Sequence, residues 1–136
     1  MPREQQHAAH ERRLTIVSDD AHYGKLLAYG LKMAGFSPEV VENDSNSIEV
    51  IRKVKPDLLI IDISIAVVEG LRMLHRLQNE GLSILVLSSS DDRAFSVESL
   101  VAGAEDVLVK PTTFPVILDR VKRLLGVRGT MPAIEH

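Results

Sequence analysis

Residues 57–62, "DLLIID", decide the fold, because they form an uninterrupted apolar run that ends in an acid. A strand with one face in water alternates apolar and polar side chains, whereas a strand buried on both faces is apolar throughout. This segment therefore predicts a strand in the interior of a parallel sheet that helices cover on both faces.

Short runs of similar character predict further strands at 14–17 ("LTIV"), 37–42 ("SPEVVE"), 83–90 ("SILVLSSS") and 106–110 ("DVLVK"). Amphipathic segments with apolar residues at helical spacing follow each strand. The predicted helices are one with Tyr23, Leu27, Gly30, Leu31 and Ala34 on one face, one that Asp44 or Ser45 caps and Pro56 ends, and segments 70–80, 93–102 and 113–125. With right-handed crossovers, this strict alternation predicts a doubly wound α/β sandwich, (βα)5, around a five-stranded parallel sheet.

The composition is typical of one soluble globular domain. The chain has 136 residues, of which 45% are hydrophobic and 26% charged, and its formal net charge is −3, so a nucleic-acid-binding surface is not expected. It has no cysteine, which excludes disulfides and cysteine zinc sites. No apolar run has the length of a membrane span, and the first residues lack the apolar stretch of a signal peptide, so a cytoplasmic location is expected.

The expected organisation is a flexible tail over 1–13, one domain over 14–125, and a tail or trimmed linker over 126–136. His7 and His10 lie three residues apart in the first tail, without a further ligand nearby in the sequence. A solvated tail is therefore favoured over a metal site there.

Polar side chains gather where the predicted strands end. In an open parallel sheet, ligands bind outside the carboxyl ends of the strands, near the point where the strand order reverses. The residues expected at this edge are Ser18, Asp19 and Asp20 after the first strand, Asp62 after the third, Ser88 and Ser89 after the fourth, and Lys110 after the fifth.

These residue types together indicate phosphoryl transfer. Carboxylates from two strands are oxygen ligands that suit Mg²⁺, and a lysine with a hydroxyl can bind an anion beside them. Phosphoryl transfer needs both a divalent cation and groups that neutralise the phosphoryl oxygens. Asp62, at the end of the most apolar strand, is the candidate nucleophile. Any one of these residues alone is more often a turn or capping residue, so the prediction depends on their occurrence together.

Four segments resemble the receiver domain of two-component response regulators, which has a flavodoxin-like fold. They are "IVSDD" (16–20), "PDLLIIDISIAVVEGLRML" (56–74), "ILVLSSS" (84–90) and "GAEDVLVKP" (103–111). The last is similar to the family's Gly-Ala-x-Asp-x-x-x-Lys-Pro signature, and Glu69-Gly70 matches the acid-glycine pair that opens the family's third helix. The resemblance covers about residues 13–125.

The resemblance implies that Asp62 accepts a phosphoryl group from a histidine kinase in a Mg²⁺-dependent reaction. It implies metal ligation by Asp19, Asp62 and the backbone carbonyl of Ser64. Asp20 could replace Asp19 only if the loop shifted by one residue. At most, such a domain catalyses its own phosphorylation and dephosphorylation.

The remaining roles implied by the resemblance concern the phosphoryl oxygens. Ser88 takes the family's hydroxyl switch position, and Ser89 takes the small position beside it that leaves room for phosphate. Lys110 takes the position of the cation that binds the phosphoryl group.

The chain departs from the family pattern at three positions. Ser18 stands where a second metal-binding acid is usual, so weaker Mg²⁺ binding is expected. Val107 replaces the aromatic that rotates inward on activation, and Ala66 replaces a proline after the acceptor loop.

Two functions follow from this pattern. The first is a phosphoacceptor that switches a partner or output domain, with a homodimer through helix four, strand five and helix five as a further possibility. The alternative is a pseudo-receiver, a phosphorylation-independent interaction or dimerisation module, which Ser18 and Val107 favour and intact Asp62, Ser88 and Lys110 oppose. No direct partner among nucleic acids or membranes is expected.

Two enzyme classes are disfavoured. A phosphatase of the α/β hydrolase type would need a second acid two residues past Asp62, where Ser64 stands. A dinucleotide-binding fold would need a glycine-rich turn after the first strand.

Overall fold

The computed structural model describes residues 12–63, 67–89 and 93–126. Strands and helices alternate over these ranges, which confirms the predicted fold class. The elements are β1 (Arg13–Ser18), α1 (Ala21–Met33), β2 (Ser37–Glu42), α2 (Ser47–Val54), β3 (Leu58–Ile63), α3 (Val67–Arg76), β4 (Ile84–Ser88), α4 (Arg93–Val101), β5 (Asp106–Val109) and α5 (Phe114–Leu125).

The strands form one parallel sheet in the order β2-β1-β3-β4-β5. The chain first adds β2 on one side of β1 and then crosses to add β3 on the other side, so the strand order reverses between β1 and β3. Ser18 and Asp62 are paired in register at the carboxyl ends of these two strands. The topology therefore places both residues at the point where open α/β sheets bind ligands.

Helices cover both faces of the sheet, and each face has its own apolar core. On one face α1 and α5 pack against the sheet through Leu27, Leu31, Ile117 and Val121. On the other face α2, α3 and α4 contribute Ile48, Ile51, Met73, Leu74 and Phe95, and Leu77 from the turn after α3 joins them. Leu58 to Ile61 are at most 2% exposed, because helices cover the central strand on both sides.

The bounds of α2 and α3 differ from the sequence prediction. Helix α3 covers Val67–Arg76 rather than 70–80. It starts earlier because Gly70 lies within the helix. It ends earlier because the backbone hydrogen bonds after Arg76 join residues three apart, as in tight turns. Helix α2 has Asn46 as its N-cap, rather than Asp44 or Ser45. The Asp44 carboxylate instead accepts a hydrogen bond of 2.8 Å from the Asn46 backbone N–H, which forms a turn before the helix.

Close approaches of α1 explain the two glycines within it. A Cβ on Gly24 would lie 3.3 Å from the Ser18 Cβ, so the first turn of α1 sits directly on the end of β1. A Cβ on Gly30 would lie 2.7 Å from a ring carbon of Phe114 on α5. Gly24 therefore serves helix–sheet packing, whereas Gly30 serves helix–helix packing.

The sheet begins at Arg13, the last residue of the segment predicted as the first tail. The Arg13 backbone N–H donates to the Asp57 carboxylate at 2.7 Å, and the Arg12 guanidinium donates to the Leu125 carbonyl at 3.1 Å. In the part of the chain that the structure describes, no helix has both the length and the apolar character needed to cross a membrane.

Candidate functional site

The Asp62 carboxylate lies at the centre of the predicted edge, and two side chains bind its two oxygens. The residue is 2% exposed. The Lys110 ammonium contacts Oδ1 at 2.5 Å, and the Ser18 hydroxyl donates to Oδ2 at 2.6 Å. The buried carboxylate thus has a cation on one side and a hydrogen-bond donor on the other, which is what a buried charge requires.

The Ser18 hydroxyl has more possible partners than protons. Its oxygen is 2.6 Å from Asp62 Oδ2 and 2.8 Å from the Asp20 carbonyl, and it accepts a hydrogen bond of 2.9 Å from the Asp20 N–H. Because a hydroxyl carries one proton, it can donate to only one of the two acceptors at a time. Ser18, at the position where the family usually has an acid, thus places a neutral hydroxyl against an oxygen of Asp62.

Asp19 and Asp20 face different surroundings, although they are adjacent. Asp19 and Asp62 line the same small cavity of about 10 Å³. The Asn43 amide donates to Asp19 Oδ1 at 2.6 Å. Asp20 is instead the N-cap of α1, where its carboxylate accepts from the backbone N–H groups of His22 and Tyr23. The local structure thus leaves Asp19 facing the site, because capping occupies Asp20.

The donor set fits Mg²⁺ with a reduced number of carboxylates. Over residues 12–63, 67–89 and 93–126, no three His, Asp or Glu side chains are grouped so that they could hold a metal ion. Magnesium needs only one or two carboxylates when water and phosphate oxygens complete its octahedron, and Asp19 with Asp62 can supply these. An open groove of about 620 Å³ beside α2 and α3 adjoins the small cavity and gives solvent access to Asp19.

The end of β4 lies next to the acceptor strand. Ser88 is fully buried, and its Cα is paired with that of Ile63, the residue after Asp62. The Ser88 carbonyl accepts a hydrogen bond of 2.7 Å from the Lys110 N–H, which fixes the start of the loop that carries the lysine. Ser89 is exposed at the same edge. Ser64 and Ala66 lie outside the described residues, as do His7 and His10.

Sequence reasoning missed two residues at this site. The ring centroid of Tyr23 lies 4.5 Å from the Lys110 ammonium, and Asn43 binds Asp19. Burial raises the pKa of Tyr23 above 10.0, and the nearby Asp62 charge raises it further. Asn43 directly follows β2, so the rule that selected the ends of the other strands would have found it.

Known proteins resemble this chain over most of its length. The family model of the response regulator receiver domain matches residues 14–122. The chain belongs to this family. It is thus a receiver domain of a response regulator, a two-component signalling module rather than a conventional enzyme.

Curated relatives extend beyond the matched region. The transcriptional regulatory protein CusR of Escherichia coli (strain K12) is 38% identical over 126 residues, which cover 90% of this chain and 55% of CusR. The response regulator MprA of Mycobacterium leprae (strain TN) is 33% identical over 122 residues, which cover 88% of this chain and 53% of MprA. The chain therefore spans about half the length of these relatives.

Solved receiver domains share its fold. The BeF3-activated N-terminal receiver domain of Klebsiella pneumoniae RstA is 30% identical, with a TM-score of 0.76 over 83% of this chain and 97% of that one. The receiver domain of the Francisella response regulator 1452 has a TM-score of 0.78 over 86% of this chain and 98% of that one, but its 22% identity supports the fold alone. These comparisons lend no support to the pseudo-receiver alternative.

Proposed function

We propose that Asp62 is the phosphoacceptor of this receiver domain and that its phosphorylation by a histidine kinase switches a partner or output domain. The observation that carries this proposal is the position of Asp62. Its carboxylate is buried at the point where the strand order reverses, and the Lys110 ammonium contacts it at 2.5 Å. Burying an ionised acid costs free energy, and a lysine partner offsets that cost only in part. A buried pair of this kind in a cleft is typical of a functional site, so it favours chemistry at the carboxylate.

The proposed step is a phosphoryl transfer between two side chains. An Asp62 oxygen forms a bond to phosphorus while the N–P bond of the kinase's phosphohistidine breaks, and the departing imidazole nitrogen keeps the electron pair. The product is an aspartyl phosphate with additional negative charge. Lys110 would neutralise part of that charge, and the Ser88 hydroxyl would donate a hydrogen bond to a phosphoryl oxygen. The same site could use a small phosphodonor and could hydrolyse its own aspartyl phosphate.

We further propose that Asp19 and Asp62 hold a Mg²⁺ ion, with the Ser64 backbone carbonyl as a third protein ligand and Asp20 retained as a helix cap. When bound, the metal would neutralise charge on the transferring phosphoryl group. The Ser18 hydroxyl would keep its hydrogen bond of 2.6 Å to Asp62 Oδ2 beside such a cation, because an ionised carboxylate offers about four lone-pair sites.

The proposed output surface is formed by α4, β5 and α5. Several large apolar side chains are exposed there although water would disfavour them, namely Val97, Leu100, Val101, Val109 and Val116. A population shift driven from Ser88 and Lys110 would change how this surface binds a second copy or a downstream protein. Since Val107 offers no ring, the shift has to pass through other side chains. The relative CusR is a transcriptional regulatory protein, which supports an output in transcription.

The experiment is an amide NMR titration with Mg²⁺ and then beryllofluoride, a phosphoryl mimic that needs no kinase. We expect saturable shifts at Asp62, Ser88 and Lys110 that spread to α4. Asp62→Asn should abolish the beryllofluoride response and the mass increase that acetyl phosphate produces. Asp57→Asn is the matched control, because it makes the same change before the other end of β3, and it should respond like the parent. Modification that persists in Asp62→Asn would assign the acceptor elsewhere.

A further inference from the structure

Tyr23 contacts the lysine of the candidate site through its ring. It lies in the first turn of α1, and its ring centroid is 4.5 Å from the Lys110 ammonium. The same ammonium contacts Asp62 Oδ1 at 2.5 Å. Lys110 therefore has two partners, an aromatic ring and a carboxylate. An ammonium within about 6 Å of a ring centroid is attracted to the face of the ring.

The fold fixes Tyr23 in this place through its neighbours. The Asp20 carboxylate accepts a hydrogen bond of 3.1 Å from the Tyr23 backbone N–H, which anchors the first turn. Gly24 lets that turn approach β1, because a Cβ there would already be 3.3 Å from the Ser18 Cβ. The ring is thus carried by a capped helix end held against the sheet.

The lysine needs such a support because it is not fully enclosed. Its side chain is 17% exposed, and four rotatable bonds connect the ammonium to the backbone. Asp62, by contrast, has no exposed side-chain surface. A lysine that leaves the pair can reach water, whereas the carboxylate cannot, so a group that holds the lysine in place controls how often the acceptor is paired.

We propose that Tyr23 is a positioning residue whose ring holds the Lys110 ammonium against Asp62, and that loss of the ring slows phosphorylation of Asp62. The second half rests on the proposed function, whereas the first concerns only the resting protein. The ring that contacts Lys110 is carried by α1, whereas β5 carries Val107.

The first measurement uses the unphosphorylated full chain. NMR of the Lys110 side chain should show its Cε protons shifted upfield by the ring current of Tyr23. Tyr23→Phe should keep this shift, and Tyr23→Met, which keeps length and helix propensity but removes the ring, should abolish it. Tyr29→Met is the matched control, because Tyr29 lies on the same helix and is 66% exposed. A Lys110 signal that is the same in Tyr23→Met as in the parent would overturn the proposal.

The second measurement is the rate of phosphorylation by acetyl phosphate, followed by intact mass. We expect Tyr23→Met to be about threefold to tenfold slower, as loss of a partly desolvated cation–π contact predicts. Tyr23→Phe should stay within about twofold of the parent. Equal loss in the Phe and Met variants would assign the effect to the hydroxyl and reject the ring. A parent rate in Tyr23→Met would equally reject the role in phosphorylation.

Failure of the two proposals can be told apart. If the parent itself is not modified at Asp62, the proposed function fails, while the Lys110 spectrum still decides whether Tyr23 positions the lysine. If Tyr23→Met does not fold, Tyr23→Leu replaces it, and thermal unfolding of each variant shows that the compared proteins are folded.

Discussion

The Ser18 hydroxyl donates a hydrogen bond of 2.6 Å to the Asp62 carboxylate across the β1–β3 pair. A second acid at position 18 would instead repel Asp62 in the absence of a cation. The serine therefore lets the metal-free site exist with one buried negative charge and one lysine. Compared with an acid at position 18, the serine leaves the proposed metal site one carboxylate short. The folded protein is therefore more stable without metal, and its affinity for metal is lower.

We expect Ser18→Asp to bind Mg²⁺ about tenfold tighter or more, because one charge at 4 Å contributes about 4 kcal/mol at an effective dielectric of 20, before solvation costs. Without Mg²⁺ its melting temperature should fall, since two carboxylates would share one lysine, and Mg²⁺ should restore it. Calorimetric titration and thermal unfolding measure both effects. Ser18→Asn, whose side chain has the shape of aspartate without its charge, should show neither the tighter Mg²⁺ binding nor the Mg²⁺-dependent melting temperature. An unchanged Mg²⁺ affinity in Ser18→Asp would show that another acid already completes the site.

The Lys110–Asp62 pair should be asymmetric in its response to mutation. Lys110→Met leaves a buried carboxylate without its cation and should lower the free energy of unfolding by about 3 kcal/mol. Asp62→Asn should cost less, because the lysine can turn toward water. In the double variant, Asp62→Asn should recover part of the loss that Lys110→Met causes. Urea unfolding of the four proteins measures the coupling.

An exposed pair provides the control for this cycle. Arg52 and Glu80 form an ion pair of 3.1 Å with about a third of each side chain exposed. Arg52→Met should therefore lower the free energy of unfolding by less than about 1 kcal/mol. An equal effect at Lys110 would show that Asp62 is solvated in the folded protein.

The pKa of Tyr23 should depend on the charge of Asp62. Burial is the larger cause of its raised pKa and the Asp62 charge is the smaller one, so Asp62→Asn should lower the value while leaving it above 10.0. Phenolate absorbance against pH measures this in a Tyr29→Phe background, because the chain has only two tyrosines. A pKa that does not change in Asp62→Asn would contradict the electrostatic contact. Asp57→Asn should leave the pKa unchanged.

The sign of the accompanying stability change follows from the direction of the shift. The folded-state pKa of Tyr23 lies above the unfolded value of 10.0, so the folded protein holds this proton more tightly. The contribution of Tyr23 to stability is therefore fully present below about pH 10 and is lost as the pH rises through the raised pKa. Asp62→Asn should move the end of that window to lower pH.

The sheet and its edge could be predicted from the sequence because their signals are local. The apolar run before Asp62 marks a strand and Gly35 marks the end of α1 without reference to the rest of the chain. Helix α3 starts three residues before its predicted start, because Gly70 lies within the helix and does not open it. Propensity alone does not show that packing tolerates Gly70 inside a helix.

The contacts within the site could not be predicted, because they depend on tertiary distances. The sequence predicts a lost metal ligand at Ser18, and nothing in its sequence context shows that its hydroxyl binds Asp62. The spacing of Tyr23 predicts that it lies on the apolar face of α1, and only the packing of the helix on the sheet brings its ring to Lys110. Spacing assigns a face of a helix, whereas distances between elements require the packed fold.

Gly30→Ala should destabilise the parent protein although alanine is the better helix former. The new Cβ would lie 2.7 Å from the Phe114 ring, and the ring can yield only by leaving its packing against the core of α1 and α5. Overpacking of this kind costs about 1–3 kcal/mol, which exceeds the gain of about 1 kcal/mol from helix propensity. The expected result of urea unfolding is a net loss of about 1 kcal/mol.

The sign of that effect should reverse once the ring is removed. In a Phe114→Leu background, Gly30→Ala meets a smaller side chain, so the propensity gain should dominate and the free energy of unfolding should rise by up to about 1 kcal/mol. The comparison is made between the two backgrounds, so the intrinsic cost of Phe114→Leu cancels. A loss of the same size in both backgrounds would show that the glycine is required by something other than the Phe114 ring.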